Sequence, residues 1–155
     1  MADGYVLGPD EARRRLGPFR VLVDGAEQDQ QLALYTGVLP RGGPPLHSHA
    51  FDEGVLVLEG RLLVELEDVV HEVAAGGFAW FPAGARHVFA NPDDTPVTAL
   101  GIARPDGILP LFAERGDYLA GLGDGAVPDP ERMAAIYAAH ASEVHGPPLL
   151  DRPGG

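Results

Sequence analysis

The sequence contains no cysteine, few basic residues and no long apolar run, and each absence excludes a class of structure. Without cysteine the chain can form neither disulfides nor thiolate sites, so any metal would need nitrogen and oxygen ligands. No run of about 18 apolar residues is present, so we expect no membrane-spanning helix. The first residues also lack the apolar core of a secretory signal, and we expect a cytoplasmic protein.

Basic residues are scarce, because 23 Asp and Glu against 11 Lys and Arg give a formal net charge of −12. Such an acidic surface repels phosphate backbones, so we expect no nucleic-acid partner. Three consecutive arginines, at positions 13–15, are the exception. We interpret them as the solvated face of a short N-terminal helix over residues 8–17, with Pro9 in its first turn and Gly17 at its end.

Glycine and proline are abundant, at 21 and 15 residues, and they separate many short apolar segments between residues 19 and 104. Short strands at close spacing favour an antiparallel sandwich or a small barrel. In the segment "RLLVELE", Leu62, Val64 and Leu66 alternate with polar residues, so we predict that they face inward.

The length of 155 residues suits one domain with a substantial core. We predict a single domain over residues 1–155, with a barrel over about 19–112 and a helical tail over about 113–145. The clearest helix follows Asp129, which can cap it, and Pro130, which fits its first position. The last residues, from 146, are expected to fray.

The stretch "HSHAFDE" places two histidines two residues apart and an acid four residues after the second. On a strand, residues i and i+2 point to the same face, so His47 and His49 could converge on one ion. Glu53 follows the turn "AFD" and can begin the next, antiparallel strand. A fourth candidate, His87, lies 34 residues after Glu53 and follows a Pro-x-Gly turn in "PAGARHVFAN".

These residues resemble the two motifs of the cupin superfamily. The first motif runs His-x-His, three or four residues, Glu, six residues, Gly, and is matched by His47, His49, Glu53 and Gly60. The second runs Gly, five residues, Pro-x-Gly, two residues, His, three residues, Asn, and is matched by Gly76, Pro82, Gly84, His87 and Asn91. The one departure is Arg41, where the first motif has an upstream glycine. The chain is similar to small single-domain bacterial cupins, of the flavonol dioxygenase-like or cupin-2 type.

The resemblance implies an all-β double-stranded β-helix, or jelly roll, in which His47, His49, Glu53 and His87 hold a metal. Imidazole and carboxylate ligands suit Fe²⁺, Mn²⁺, Ni²⁺, Co²⁺, Cu²⁺ or Zn²⁺. Three interpretations stay open. The site could be octahedral with two open positions for substrate or O₂, it could be a closed tetrahedral zinc site, or the barrel could have lost its metal.

Aromatic residues surround the motifs, and four are candidates for a substrate pocket: Tyr35, Phe51, Trp80 and Phe89. Phe51, Trp80 and Phe89 could instead lie in the barrel core or at a dimer contact. Tyr35 is the weakest pocket candidate. The remaining histidines have structural interpretations, with His71 on the surface, His140 packed on a helix and His145 in the tail. We predict that Asn91 is a turn residue.

The resemblance implies a metal-dependent enzyme acting on a small, aromatic or polyketide-like molecule, with a dioxygenase that uses O₂ as the leading hypothesis. The ion would polarise a substrate oxygen, and Glu53 could also act as a general base. The alternatives are a non-redox isomerase or cyclase and a non-enzymatic binding or sensor protein. Homodimers are common among cupins, and we predict one here through an edge strand in "RVLVDG".

Overall fold

The structure is a computed structural model that describes residues 4–153. Short strands are the main regular elements, and two helices lie near the carboxyl end, before the last strand. In chain order the strands are β1 (Arg14–Leu16), β2 (Phe19–Val23), β3 (Ala33–Leu39), β4 (Pro45–His49), β5 (Asp52–Glu59), β6 (Arg61–Leu66), β7 (Val69–Ala74), β8 (Phe78–Phe81), β9 (His87–Ala90), β10 (Val97–Arg104) and β11 (Ser142–Pro148). The helices are α1 (Ile108–Ala120) and α2 (Pro130–Ala139), and short 3₁₀ turns cover Gly25–Glu27 and Leu149–Asp151.

The strands form two antiparallel sheets. The first has six strands in the order β1-β2-β3-β10-β5-β8, and the second has five in the order β11-β4-β9-β6-β7. Consecutive strands such as β4 and β5, or β8 and β9, lie in opposite sheets, which is the winding of a jelly roll. This confirms the predicted all-β, double-stranded β-helix fold.

Apolar side chains that alternate along the strands fill the space between the sheets. Leu62 and Val64 on β6 are buried, and Leu66 packs against the same apolar cluster, which confirms the predicted inward face. Arg61, on the other face, forms ion pairs with Glu72 and Asp93. Burying each such apolar side chain stabilises the fold by about 1.5–3 kcal/mol.

A second apolar cluster joins the two helices to the end of the barrel near the histidines. It includes Tyr35 and Phe51 from the barrel, Leu109 and Leu111 from α1, and Tyr137 from α2. As predicted, α2 begins at Pro130 behind Asp129, whose side chain accepts a hydrogen bond from the Glu131 amide. The helices therefore cover one side of the site described below.

The predicted N-terminal helix over residues 8–17 is wrong. Residues Arg14–Leu16 form β1, which pairs with β2 through a tight turn at Gly17, where φ is 56°. A segment this short gains little from helical hydrogen bonds, whereas pairing with β2 extends an existing sheet. The arginine side chains reach acids instead, with Arg13 on Glu27 and Arg14 on Asp24.

The predicted tail also needs correction. Helix α1 begins at Ile108, before the expected start of the tail, and residues 142–148 form a strand where helix and then frayed chain were expected. This strand, β11, pairs with β4, so its backbone groups complete the edge of the five-stranded sheet. Beyond it, Arg152 donates two hydrogen bonds to the Glu65 carboxylate, at 2.9 and 2.7 Å.

The segment "RVLVDG" is not an edge strand. It forms most of β2, which pairs with β1 on one side and β3 on the other. The predicted twofold pairing through this strand is therefore wrong, while the homodimer itself stays a prediction. Neither of the two helices in the described residues is long and apolar enough to cross a membrane.

Candidate metal centre

Both sheets contribute to one buried cluster of possible ligands. Strand β4 carries His47 and His49, β9 carries His87 opposite His47 in the strand register, and β5 carries Glu53 in the facing sheet. One ligand atom from each side chain lies within 4.8 Å of the others. All four residues are at most 3% exposed. The structure thus brings together the four residues predicted as ligands, in a geometry that could hold a metal ion.

Backbone carbonyls fix the orientation of all three imidazoles. The Nδ1 atoms of His47, His49 and His87 lie 2.7, 2.7 and 3.0 Å from carbonyl oxygens of Pro45, Phe51 and Ala85, respectively. A carbonyl only accepts hydrogen bonds, so each Nδ1 carries the proton and donates it. The Nε2 lone pair of each neutral ring is then free to bind a metal, as in most protein histidine ligands.

The chemistry of this donor set fits a cation at its centre. Glu53 Oε2 lies 3.0 Å from His49 Nε2 and 3.3 Å from His87 Nε2. In the neutral forms of His49 and His87 the one ring proton lies on Nδ1. The Nε2 lone pair of each ring would then face the Glu53 carboxylate across these distances. Such an arrangement needs a positive charge, which a metal ion or additional protons can supply.

The charge states expected near neutral pH are those that metal ligands require. Burial, together with the neighbouring His87, lowers the pKa of His47 to about 3, so this ring is neutral. Burial alone would raise the pKa of Glu53, but the close approach of His49 and His87 to its carboxylate outweighs burial and holds that pKa below its usual range. The cluster therefore combines a neutral His47 with an ionised carboxylate.

Tyr35 lies against the outer oxygen of this carboxylate. Its hydroxyl donates to Glu53 Oε1 at 3.3 Å, and its side chain is buried. Burial and the charge of Glu53 raise the pKa of Tyr35 well above its usual value, so the phenol keeps its proton. Of the four predicted pocket residues, Tyr35 is the one whose side chain forms a hydrogen bond with the cluster.

Aromatic rings pack directly against the imidazoles. Phe51 stacks on His49 with a centroid distance of 3.9 Å, and Phe81 stacks on His87 at 4.1 Å. The Tyr137 ring meets His47 edge-on at 5.5 Å. Phe81 and Tyr137 were not among the predicted pocket residues. Strand alternation on β8 could have indicated Phe81, whereas Tyr137 is brought to the site by the packing of α2, which no local pattern reveals.

The other two predicted pocket residues lie further from the ligands. Phe89 shares its face of β9 with His87 and packs against the apolar interior of the barrel. Trp80 lies on the face of β8 opposite to Phe81 and is 40% exposed. The structure therefore does not bring Trp80 to the cluster.

A cavity of about 540 Å³ opens between strands β7 and β8, which are the edges of the two sheets. Its wall is mostly apolar and includes Val64, Leu66 and Phe81, while Trp80 lies at its outer side. None of the four candidate ligands lines this cavity, and its nearest link to the cluster is Phe81, which stacks on His87. An apolar cavity of this size can hold a small organic molecule.

The remaining histidines lie outside the cluster, although His140 follows the end of α2 and His145 lies in β11, where a helix and a tail were expected. His71 is exposed, His140 contacts Glu114 at 2.7 Å, and His145 contacts Ser48 at 2.8 Å, all outside the cluster. Asn91 is fully buried, and its amide donates to the carbonyls of Leu39 and Thr95, so it fixes the turn after β9.

The family model described as a cupin domain, Cupin_2, matches residues 34–103, which include every residue of the cluster. This chain belongs to the cupin superfamily. The two motifs of the sequence thus occupy the expected strands. Gly60 and Gly84 have φ values of 83° and 85°, which explains why glycine suits both turns.

Solved structures of several kinds of cupin are similar to this cupin. A polyketide cyclase from Streptomyces resistomycificus is 26% identical, with a TM-score of 0.50, over 57% of this chain and 64% of that chain. An RmlC-like cupin from Shewanella frigidimarina is 18% identical, with a TM-score of 0.54, over 67% of this chain and 92% of that chain. The second likeness shows the fold alone.

A structure assigned to ethanolamine utilization protein Q of Salmonella typhimurium is 31% identical, with a TM-score of 0.47, over 56% of this chain and 68% of that chain. This cupin spans only 64% of the cyclase and about half of another matched structure. No curated protein sequence matches it significantly.

Proposed function

We propose that this cupin is a metal-dependent enzyme that acts on a small, aromatic or polyketide-like organic molecule. His47, His49, Glu53 and His87 would hold a divalent transition metal. This proposal rests on one observation: backbone carbonyls hold the Nδ1 atoms of all three histidines. The Nε2 atoms of the three rings are therefore directed towards the space next to the Glu53 carboxylate. Such orienting hydrogen bonds are typical of metal-ligating histidines.

The donor set suits Fe²⁺, Mn²⁺, Ni²⁺, Co²⁺, Cu²⁺ or Zn²⁺, because it offers imidazole nitrogen and carboxylate oxygen and no sulfur. When bound, the ion would supply Lewis-acid polarisation of an enolate, phenolate or carboxylate oxygen on the substrate. The four protein ligands of an octahedral ion would leave two positions for the substrate and a second reactant.

Glu53 would act as the general base of the reaction. Its carboxylate is ionised near neutral pH, and Oε2 lies close to two ligand rings, so Glu53 would leave the ion and accept a proton from a substrate held in the same space. The apolar wall formed by Val64, Leu66 and Phe81 would receive the body of the substrate and exclude water.

We propose two reactions for this site. The first is dioxygenation, in which O₂ is the second reactant. The second is a non-redox cyclisation or isomerisation, and the similarity to a polyketide cyclase favours it. Both would use the same ligands and the same base, so they differ in their need for O₂.

The test uses protein stripped with a chelator and reloaded separately with Fe²⁺, Mn²⁺, Ni²⁺ or Co²⁺. Flavonols and aromatic polyketides are supplied as probes, with and without O₂, while substrate loss and oxygen uptake are measured together. Loss of substrate with matching oxygen uptake would support the dioxygenase. Turnover without O₂ would support the cyclase or isomerase. Tight binding of a probe without turnover would favour a binding or sensor protein, and failure to retain any metal would contradict the proposed function.

A further inference from the structure

Glu53 uses its two carboxylate oxygens differently. Oε2 lies near the Nε2 atoms of His49 and His87, at 3.0 and 3.3 Å, whereas Oε1 accepts a hydrogen bond from the Tyr35 hydroxyl at 3.3 Å. Within residues 4–153, Tyr35 makes the one hydrogen bond found to Oε1. A carboxylate only accepts hydrogen bonds, so the phenol must be the donor.

Tyr35 reaches this oxygen by crossing an intervening strand. It lies on β3, Glu53 lies on β5, and β10 runs between them, with Gly101 directly opposite Tyr35 in the register. A Cβ atom at position 101 would lie 2.2 Å from Tyr35 Cζ and 2.5 Å from its hydroxyl oxygen. Gly101 does not have a positive φ, so its backbone conformation does not require glycine. Glycine is needed at this position because a side chain would occupy the space of the Tyr35 ring.

The ring is also held from its other sides. Phe19 and Phe112 stack on each other at 4.0 Å, and both meet the Tyr35 ring edge-on, at 5.7 and 5.2 Å. Phe19 belongs to β2 and Phe112 to α1, so barrel and helix together fix the direction of the hydroxyl. A side chain packed in this way loses little further freedom when it forms its hydrogen bond.

From this geometry we propose that Tyr35 is a positioning residue for the candidate metal centre. Its hydroxyl holds Glu53 Oε1 and thereby turns Oε2 towards the histidine nitrogens. Gly101 leaves the space that makes this contact possible. The inference rests on the proposed function, because it assumes that Glu53 is a metal ligand. It goes further by assigning a role to a residue outside the two cupin motifs.

The test compares Co²⁺ binding by the wild type and by Tyr35→Phe, which keeps the packed ring and removes only the hydroxyl. We expect about tenfold or greater loss of affinity, within the range seen when a group that orients a ligand is removed, and a change in the visible absorption of bound Co²⁺. Affinity is measured by competition with a chromogenic chelator. The unfolding midpoint of the metal-free protein should change little.

Tyr137→Phe is the matched control. Tyr137 is also buried and its ring contacts His47, but its hydroxyl accepts a hydrogen bond from Arg115 and does not contact the cluster. We expect this variant to bind Co²⁺ with wild-type affinity and spectrum. If Tyr35→Phe behaved in the same way as the control, the positioning role would be refuted.

A second variant shows whether Tyr35 acts through Glu53. In a Glu53→Gln background, where the carboxylate is already lost, adding Tyr35→Phe should change Co²⁺ affinity by less than about threefold. An equal loss in both backgrounds would overturn the proposal. If the wild type itself bound no Co²⁺, the proposed function would fail first. If the wild type bound Co²⁺ and Tyr35→Phe bound it equally well, this inference would be refuted, but the proposed function would not be.

Discussion

The five-stranded and six-stranded sheets contribute to the same cluster by different means. The five-stranded sheet supplies three histidines, and each Nδ1 is fixed by a backbone carbonyl two residues away in the chain. The six-stranded sheet supplies one carboxylate, and a side chain 18 residues away, that of Tyr35, contacts its outer oxygen. The first kind of anchor is local and belongs to the main chain, whereas the second is distant and belongs to a side chain.

This difference separates what single substitutions can disturb. A carbonyl anchor belongs to the main chain, so replacing the side chain of the residue that carries it does not delete it. The hydroxyl anchor can be removed by deleting one oxygen or by blocking the space over Gly101. We call His47, His49 and His87 the histidine half of the cluster, and Glu53 the carboxylate half. We expect metal binding by the histidine half to be lost when a ligand is replaced. Metal binding by the carboxylate half should also depend on residues that are not ligands.

The largest effect is expected from replacing a histidine ligand. His49→Ala removes one of four donors, along with the ring that stacks on Phe51, so Co²⁺ affinity should fall by on the order of 100-fold or more. Competition with a chromogenic chelator measures the change, and circular dichroism checks the fold. His71→Ala is the control, because His71 is exposed and outside the cluster. Equal affinity in the two variants would contradict His49 as a ligand.

A smaller effect is expected from acid, again on the histidine side. The pKa of His47 is about 3 in the folded protein, below the reference value of about 6.5 for an unfolded chain. Between these values the unfolded state binds the additional proton, so the free energy of unfolding of the metal-free protein should fall as pH drops. The loss for this one residue is at most about 5 kcal/mol, and less within a window that stops at pH 4.

Urea unfolding at several pH values between 7 and 4 measures this loss. His47→Gln removes the titrating ring and should reduce the slope of stability against pH in that window. The low pKa of Glu53 gives a stabilising contribution that is present above its unfolded pKa and is lost as pH falls through the lower folded value. Protonation of His47 and protonation of Glu53 should therefore lower the free energy of unfolding in different pH ranges. Identical slopes for the wild type and His47→Gln would show that His47 does not cause the loss.

The distinction between local main-chain contacts and distant side-chain contacts also explains how much of the site the sequence could predict. His47, His49, Glu53 and His87 were predictable because the spacing of the motifs fixes which strands carry them. Tyr35 was only a weak candidate, since its contact with Glu53 depends on the order of strands in a sheet and on the absence of a side chain at Gly101. Trp80 lines the cavity between β7 and β8 but lies on the face of β8 opposite to Phe81, which stacks on His87, and the aromatic character of β8 does not show which of the two would reach the ligands.

The errors outside the site have the same origin. Residues 14–16 and 142–148 form strands because existing sheet edges, on β2 and β4, pair with them. Local sequence patterns in these segments favoured a helix and a frayed end, respectively. Tertiary pairing outweighed those local preferences, as it often does for short elements. The strand at residues 142–148 pairs with β4, which is distant in the sequence, whereas residues 14–16 pair with the adjacent β2, so neither error came from distance alone.

The smallest effect is expected from Gly101→Ala, which changes neither a ligand nor its direct partner. The added Cβ would overlap the Tyr35 ring, so ring or strand must shift, at a cost of about 1–3 kcal/mol in stability. The shifted hydroxyl should lose part of its contact with Glu53, and Co²⁺ affinity should fall a few-fold, at or below the lower end of the range for groups that orient ligands.

Gly116→Ala in α1 is the matched control for this change, because an added Cβ there meets no atom within 4 Å. It should leave Co²⁺ affinity unchanged and raise stability by about 0.5–1 kcal/mol, since alanine suits a helix better than glycine. Thermal unfolding and Co²⁺ titration of both variants separate the two outcomes. If Gly101→Ala were as harmless as Gly116→Ala, the Tyr35 ring would have room to move, and the carboxylate half would be as tolerant of non-ligand substitutions as the histidine half.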